Sequence, residues 1–170
     1  MTSVSYLDEF DDLKLMIIGG DEDSQEEINR LKALSFELGL ADKIDFRGMV
    51  KQMQLPLFYS AADVCVVPSY YESFGLVALE SLACGTPVVA TNVGNLGNII
   101  SNGKNGYILA DNNPRKLADG IAKILKEPGI RDRSLSVIRN SITDYSWTKV
   151  AEMIVGEFHS VFDRQAIEVF

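Results

Sequence analysis

Apolar residues along this chain fall into short continuous runs, separated by longer stretches in which they recur every three or four positions. The run "LKLMII" (13–18), closed by Gly19 and Gly20, reads as a buried strand. Asp23 and Ser24 then offer helix caps, Ile28, Leu31, Leu34 and Leu38 follow at helical spacing, and Gly39 is the stop. "KIDFRG" (43–48) is a second strand, "QMQLPLFYSAA" a short helix complicated by Pro56, and "DVCVVPS" (63–69) a third strand. A helix over roughly 74–84 ends at Gly85, "PVVAT" is strand four, "NLGNIIS" a short helix and "GYILA" (106–110) strand five. Asn113 caps a helix with Pro114 at its first position and Leu117, Ile121 and Leu125 on its inner face. A less regular helix over roughly 130–142 precedes a last one striped by Trp147, Val150, Ile154, Phe158 and Phe162. Repeated strand–helix units with short connections predict α/β architecture: a Rossmann-like parallel sheet with helices on both faces. Residues 1–12 read as a lead-in and 13–170 as one domain.

Composition narrows the function classes. The 170 residues are 46% hydrophobic and 24% charged, ordinary for a globular domain. No run reaches eighteen apolar residues, and "MTSVSYLDEFDDLKL" lacks the basic-then-apolar pattern of a signal peptide, so a cytoplasmic protein is expected. A formal net charge of -8 argues against a nucleic-acid surface, where affinity comes largely from Lys and Arg on phosphates. Cys65 and Cys84 stand without CxxC spacing or nearby His, and read as two reduced, buried cysteines.

In parallel sheets ligands gather outside the carboxyl ends of the strands. Three loops sit there: Gly19 to Asp23, Arg47 to Lys51 and Ser69 to Gly75. The third opens a helix at Phe74, Gly75 and Leu76, where unpaired N–H groups and the positive dipole end suit an anion, with phosphate the natural guest. Glycine at 75 would let that anion come close. Two acids flank the turn. Glu72 lies at the mouth, and Glu80 lies five residues into the helix from Gly75, about 7–8 Å along the axis at roughly 1.5 Å per residue. Helical side chains lean toward the N-terminus, so Glu80 can reach back toward a bound phosphate. "FGLVALESLAC" is apolar nearly all round and reads as a buried helix, in which a glutamate is costly without a partner. Each acid alone could be plain surface polarity, and a glycosidase carboxylate pair is a further alternative. The spacing fits a nucleotide–diphosphate–sugar best, with ribose at Glu80, phosphates at the amides and sugar at Glu72.

These residues carry a resemblance. "PSYYESFGLVALESLACGTPVVATNVGNLGNIISNGKNGYIL" resembles the signature region of the family 4 glycosyltransferases, whose fold is the two-domain GT-B architecture. The likeness includes the E-x7-E pair, the S-F-G-L between, and the flanking "KIDFRGMV", "LFYSAADVCVVPS" and "YSWTKVAE". It implies the C-terminal, donor-binding half of a retaining glycosyltransferase that transfers a hexosyl group. Glu72 would meet the transferred sugar as the catalytic residue, and Glu80 the ribose. Ser73, Phe74, Gly75, Leu76 and Val77 would surround the diphosphate and sugar, and Gly48, Met49 and Val50 the base. The family works without a metal or other cofactor, with the nucleotide-sugar as donor substrate. Full-length members are compatible with peripheral membrane association.

Three departures qualify the likeness. The chain starts beyond the family's "GR…KG" phosphate clamp, and Lys14 is its only basic residue before Arg30. The N-terminal acceptor domain and its histidine are missing, and the only histidine, His159, lies on the last helix as a surface or interface residue. Where the family carries "GG-x-P-E", this chain has Gly94, Asn95, Leu96, Gly97 and Asn98. The isolated chain is therefore expected to be inactive in transfer. Two other readings stay open: a non-catalytic nucleotide-sugar-binding or partner module, and half of a nucleotide-sugar epimerase. Most of the last helix's stripe is expected to pack on its own domain, with weak self-association through the exposed far end near Phe158 and Phe162.

Overall fold

Every short apolar run becomes a strand, and every strand leads into a helix. The computed structural model describes residues 1–127 and 135–167. Its order is β1 (Leu15–Ile18), α1 (Gln25–Glu37), β2 (Ile44–Gly48), α2 (Leu55–Ala61), β3 (Cys65–Val67), α3 (Leu76–Ala83) and β4 (Val88–Thr91). There follow α4 (Leu96–Ile99), β5 (Gly106–Leu109), α5 (Pro114–Lys126), α6 (Leu135–Asn140) and α7 (Trp147–Ile167). The helix expected over roughly 130–142 is seen as α6; residues 128–134 lie outside the described ones.

All pairing is parallel, as the apolar runs require, but the strands form two ladders where one sheet was expected. β1 pairs with β2, Leu15 opposite Ile44 and Ile17 opposite Phe46, with a register irregularity before Ile18. β4 pairs with both β3 and β5, Val88 facing Cys65 on one side and Gly106 on the other. Among the described residues β1, β2, β3 and β5 are thus all edge strands, each bonded along one side, and β4 alone is bonded on both.

The core follows this division. β4 is buried at all four positions, as a central parallel strand should be. Its side chains alternate between faces. Val88 and Ala90 pack with Val67, with Ala78 and Leu82 of α3, and with Leu96 and Ile99 of α4 and Ile138 of α6. Val89 points the other way, onto Leu117, Ala118, Ile121 and Ile124 of α5. Leu7 joins that second cluster, with Phe10 and Leu13 against it. Burying a leucine is worth about 1.5–3 kcal/mol, so residues 1–12 are part of the packed unit and more than a lead-in. No side chain of β1, α1, β2 or α2 belongs to either cluster.

Local chemistry sets several boundaries. The Asn113 side chain accepts from the N–H groups of Arg115 and Lys116, and Pro114 occupies the first turn of α5. Asn105, fully buried, accepts from Ser101 N–H and donates to Ile99 O and Ser141 Oγ, tying the turn before β5 to the segment after α6. The last helix departs from expectation. Phe158 and Phe162 are exposed, as expected of the far end, but so are Trp147 (86%) and Ile154 (51%), so the stripe stays largely off its own domain. Among the described residues no helix is long and apolar enough to cross a membrane.

Candidate functional site

The loop after β3 and the loop after β4 meet at one end of the three-stranded sheet. Buried Thr91, at the end of β4, donates its hydroxyl to Ser69 O and so pins the start of the Ser69–Gly75 loop. From the other side Gly94, with φ +55, lies so close to the Glu72 carbonyl that a Cβ there would overlap it. Phe74 meets Tyr145 edge-on, ring centroids 6.1 Å apart, which links this loop to the chain just before α7. The role of Tyr145 has no signature in the sequence, since the contact spans the fold.

Gly75 ends the loop with φ +89, a left-handed conformation that favours glycine, and α3 begins at the next residue. A Cβ on Gly75 would sit 2.7 Å from Leu96 Cδ2 and 3.3 Å from Ile99 Cδ1. The glycine is therefore required by α4 packing beneath it as well as by its own backbone. Only one face of α3 is buried, through Ala78, Ser81 and Leu82. Leu76 and Val77 are 59% and 43% exposed, which corrects the expectation of a helix buried all round. The first turn faces solvent, where the sequence reading put the anion.

Glu72, Ser73, Phe74, Gly75, Leu76, Val77 and Glu80 are thus brought together on one loop and one helix. Glu72 is folded back: its Oε1 accepts from Ser73 N–H at 3.1 Å and from Gly75 N–H at 3.2 Å. One of the amides expected to receive phosphate, that of Gly75, is thereby satisfied by the protein's own carboxylate, together with the amide of Ser73. Glu80 is half-buried and does have the partner its position demands, since the Tyr59 hydroxyl of α2 donates to its Oε2 at 3.0 Å. Burial first, then the Glu80 bond and charge, raise the Tyr59 phenol well above its ordinary value. Burial likewise pushes the Cys65 thiol up to about 11, with Glu80 adding to the effect. Both cysteines are free thiols.

Other candidates stand apart. Gly48, Met49 and Val50 close the other ladder, where Gly48 O accepts from Gly19 N–H at 2.9 Å and Met49 is exposed. Beside them Ile17, Gly19, Ile28, Phe46 and Arg47 line a cavity of about 230 Å³ under α1. Lys14 precedes β1, at the opposite end of the strands, and donates to Asp42 O at 2.8 Å, so it is no phosphate clamp. Asn98 is exposed and donates to Asn95 Oδ1, and His159 is exposed on α7.

Comparison with known proteins places these features in a family. Residues 2–141 match the glycosyl transferases group 1 family. The D-inositol 3-phosphate glycosyltransferase of Acidothermus cellulolyticus is 40% identical over 149 residues, covering 85% of this chain and 32% of the relative. The chain spans about a third of the length of the curated relatives it matches. Among solved structures, sucrose-phosphate synthase from Thermosynechococcus elongatus superposes with a TM-score of 0.82 at 31% identity, over 96% of this chain and 42% of that one. Anabaena HepE, solved in complex with UDP-glucose, shares the fold at a TM-score of 0.80 and 20% identity, over 94% and 44%. With the Rossmann-like architecture of the GT-B enzymes and a family match along most of its length, the chain belongs to the glycosyl transferases group 1 family.

Proposed function

We propose that this chain is the donor-binding half of a retaining glycosyltransferase that takes a nucleotide-diphosphate-sugar and moves a hexosyl group from it. The observation that carries the reading is the pairing of two carboxylates around one solvent-facing helix start, Glu72 before α3 and half-buried Glu80 within it. Glu80 accepts from the ribose hydroxyls. The amides of Phe74, Gly75 and Leu76 receive the diphosphate, and the Gly48–Val50 loop meets the base. For Gly75 N–H to serve the phosphate, the Glu72 carboxylate must leave it, which frees that carboxylate for the sugar hydroxyls. With Gly75 N–H so freed, these donors stabilise the charge that develops on the leaving diphosphate, without a metal. Nucleotide-sugar as the ligand class is supported by the UDP-glucose held by HepE on the same fold. Acceptor binding is assigned to a separate domain, so the isolated chain binds donor and does not transfer.

Calorimetric titration of the chain with UDP-, GDP- and ADP-glucose tests this. Saturable binding of one of them is expected, weakened by about 1.5–3 kcal/mol in Glu80→Gln, the worth of a hydrogen bond to a charged group. No binding of any, or equal binding by the variant, would sink the ribose assignment.

A further inference from the structure

Glu80 needs two things to read a ribose: free acceptor lone pairs and a fixed carboxylate plane. The second is supplied from outside its own helix. We infer that Tyr59 is a positioning residue for the nucleotide site, orienting the Glu80 carboxylate toward the vicinal hydroxyls. The inference rests on the donor-binding reading above.

The geometry is a short chain of hydrogen bonds. Buried Ser81 donates its hydroxyl to Thr86 O at 3.0 Å. Buried Thr86 in turn donates its own hydroxyl to Tyr59 O, fixing the backbone that carries the ring. The phenol then donates to Glu80 Oε2 at 3.0 Å, while among the described residues no donor is seen on Oε1. Because Ser81 is adjacent to Glu80, the chain starts and ends on α3 and encloses the turn between α3 and β4.

A glutamate on a helix surface is otherwise free about its last torsion, which is broad and roughly two-fold. One bond from a donor that is itself held removes that freedom before any hydroxyl arrives, so the ordering cost is not met again at binding. The phenol is also a lasting donor, since an ordinary phenol keeps its proton across the physiological range and burial here shifts it further the same way. A carboxylate has about four lone-pair sites, so one bond from Tyr59 leaves enough for two ribose hydroxyls.

A purely structural bond between α2 and α3 would stabilise the fold without telling ribose from deoxyribose. The test uses that difference. The 170-residue chain and its Tyr59→Phe and Glu80→Gln variants are titrated by NMR with UDP, GDP and ADP and with their 2′,3′-dideoxy counterparts, and melting is followed by circular dichroism. Tyr59→Phe is expected to weaken the ribose nucleotide about fivefold, one hydrogen bond's worth, and to leave the dideoxy nucleotide unchanged. Adding Tyr59→Phe to Glu80→Gln should cost nothing further. Equal weakening of both nucleotides, or none, in Tyr59→Phe while Glu80→Gln loses its preference for ribose overturns the positioning role alone. Loss of selectivity in neither variant, or no saturable binding of any diphosphate, removes the donor-binding reading and the positioning role with it.

Discussion

Gly75 answers to two neighbours at once, its own backbone and the α4 side chains below it. Alanine there would have to hold φ near +89 and push Leu96 aside. Gly75→Ala should therefore lower stability by about 1–3 kcal/mol, the usual cost of a residue held in a sparsely populated conformation. Urea denaturation of the two proteins checks it; an unchanged midpoint would show that the loop relaxes. The sequence pointed to this glycine for a different reason, room for an anion, because contacts with Leu96 and Ile99, far along the chain, leave no local mark. The Glu80 position was legible, since a lone acid in an apolar helix demands a partner. That the partner is Tyr59 was not, because only the packing of α2 on α3 brings the hydroxyl within reach. Glu72 was legible as an acid at a helix mouth. Its turn back onto Ser73 and Gly75 depends on loop torsions that composition does not encode.

At the scale of elements, local signals did best where the structure is locally determined. The start of α5 is one case: its cap and proline lie within three residues. Asn113→Ala should cost about 1 kcal/mol, read as a lower thermal midpoint with little change in helix content. A loss within error would mean that the N–H groups of Arg115 and Lys116 are served equally by water. The α7 stripe is the opposite case. Its period was plain, but periodicity names a face and not what covers it, and here Trp147, Phe158 and Phe162 face solvent. The strands were all legible from their apolar runs, yet β1 and β2 read the same as β3 to β5 although the two sets end in separate ladders. Strand order is a property of pairing, and pairing is not written in any one run.

Taken whole, the molecule builds both of its buried apolar clusters in one stretch of the chain, and between residues 15 and 62 only Leu40 is a buried hydrophobic side chain among the described residues. Both core clusters are built from β3, β4, β5 and the helices and lead-in around them, while residues 15–62 contribute nothing to either. Opening free energies need not be uniform within a folded chain, and units with few buried apolar contacts open first. Native-state hydrogen exchange in rising urea should therefore show amides of β1, α1 and β2 trading protons at lower denaturant than those of β4 and α5. Identical opening energies throughout would show a single cooperative unit. The gap between the ladders thus has a consequence in time. Gly48–Val50, proposed to meet the base, belongs to the part expected to loosen early, while the Glu72–Glu80 segment belongs to the part expected to persist. A nucleotide touching both would act as a clasp, slowing exchange in the weak half far more than in the strong one.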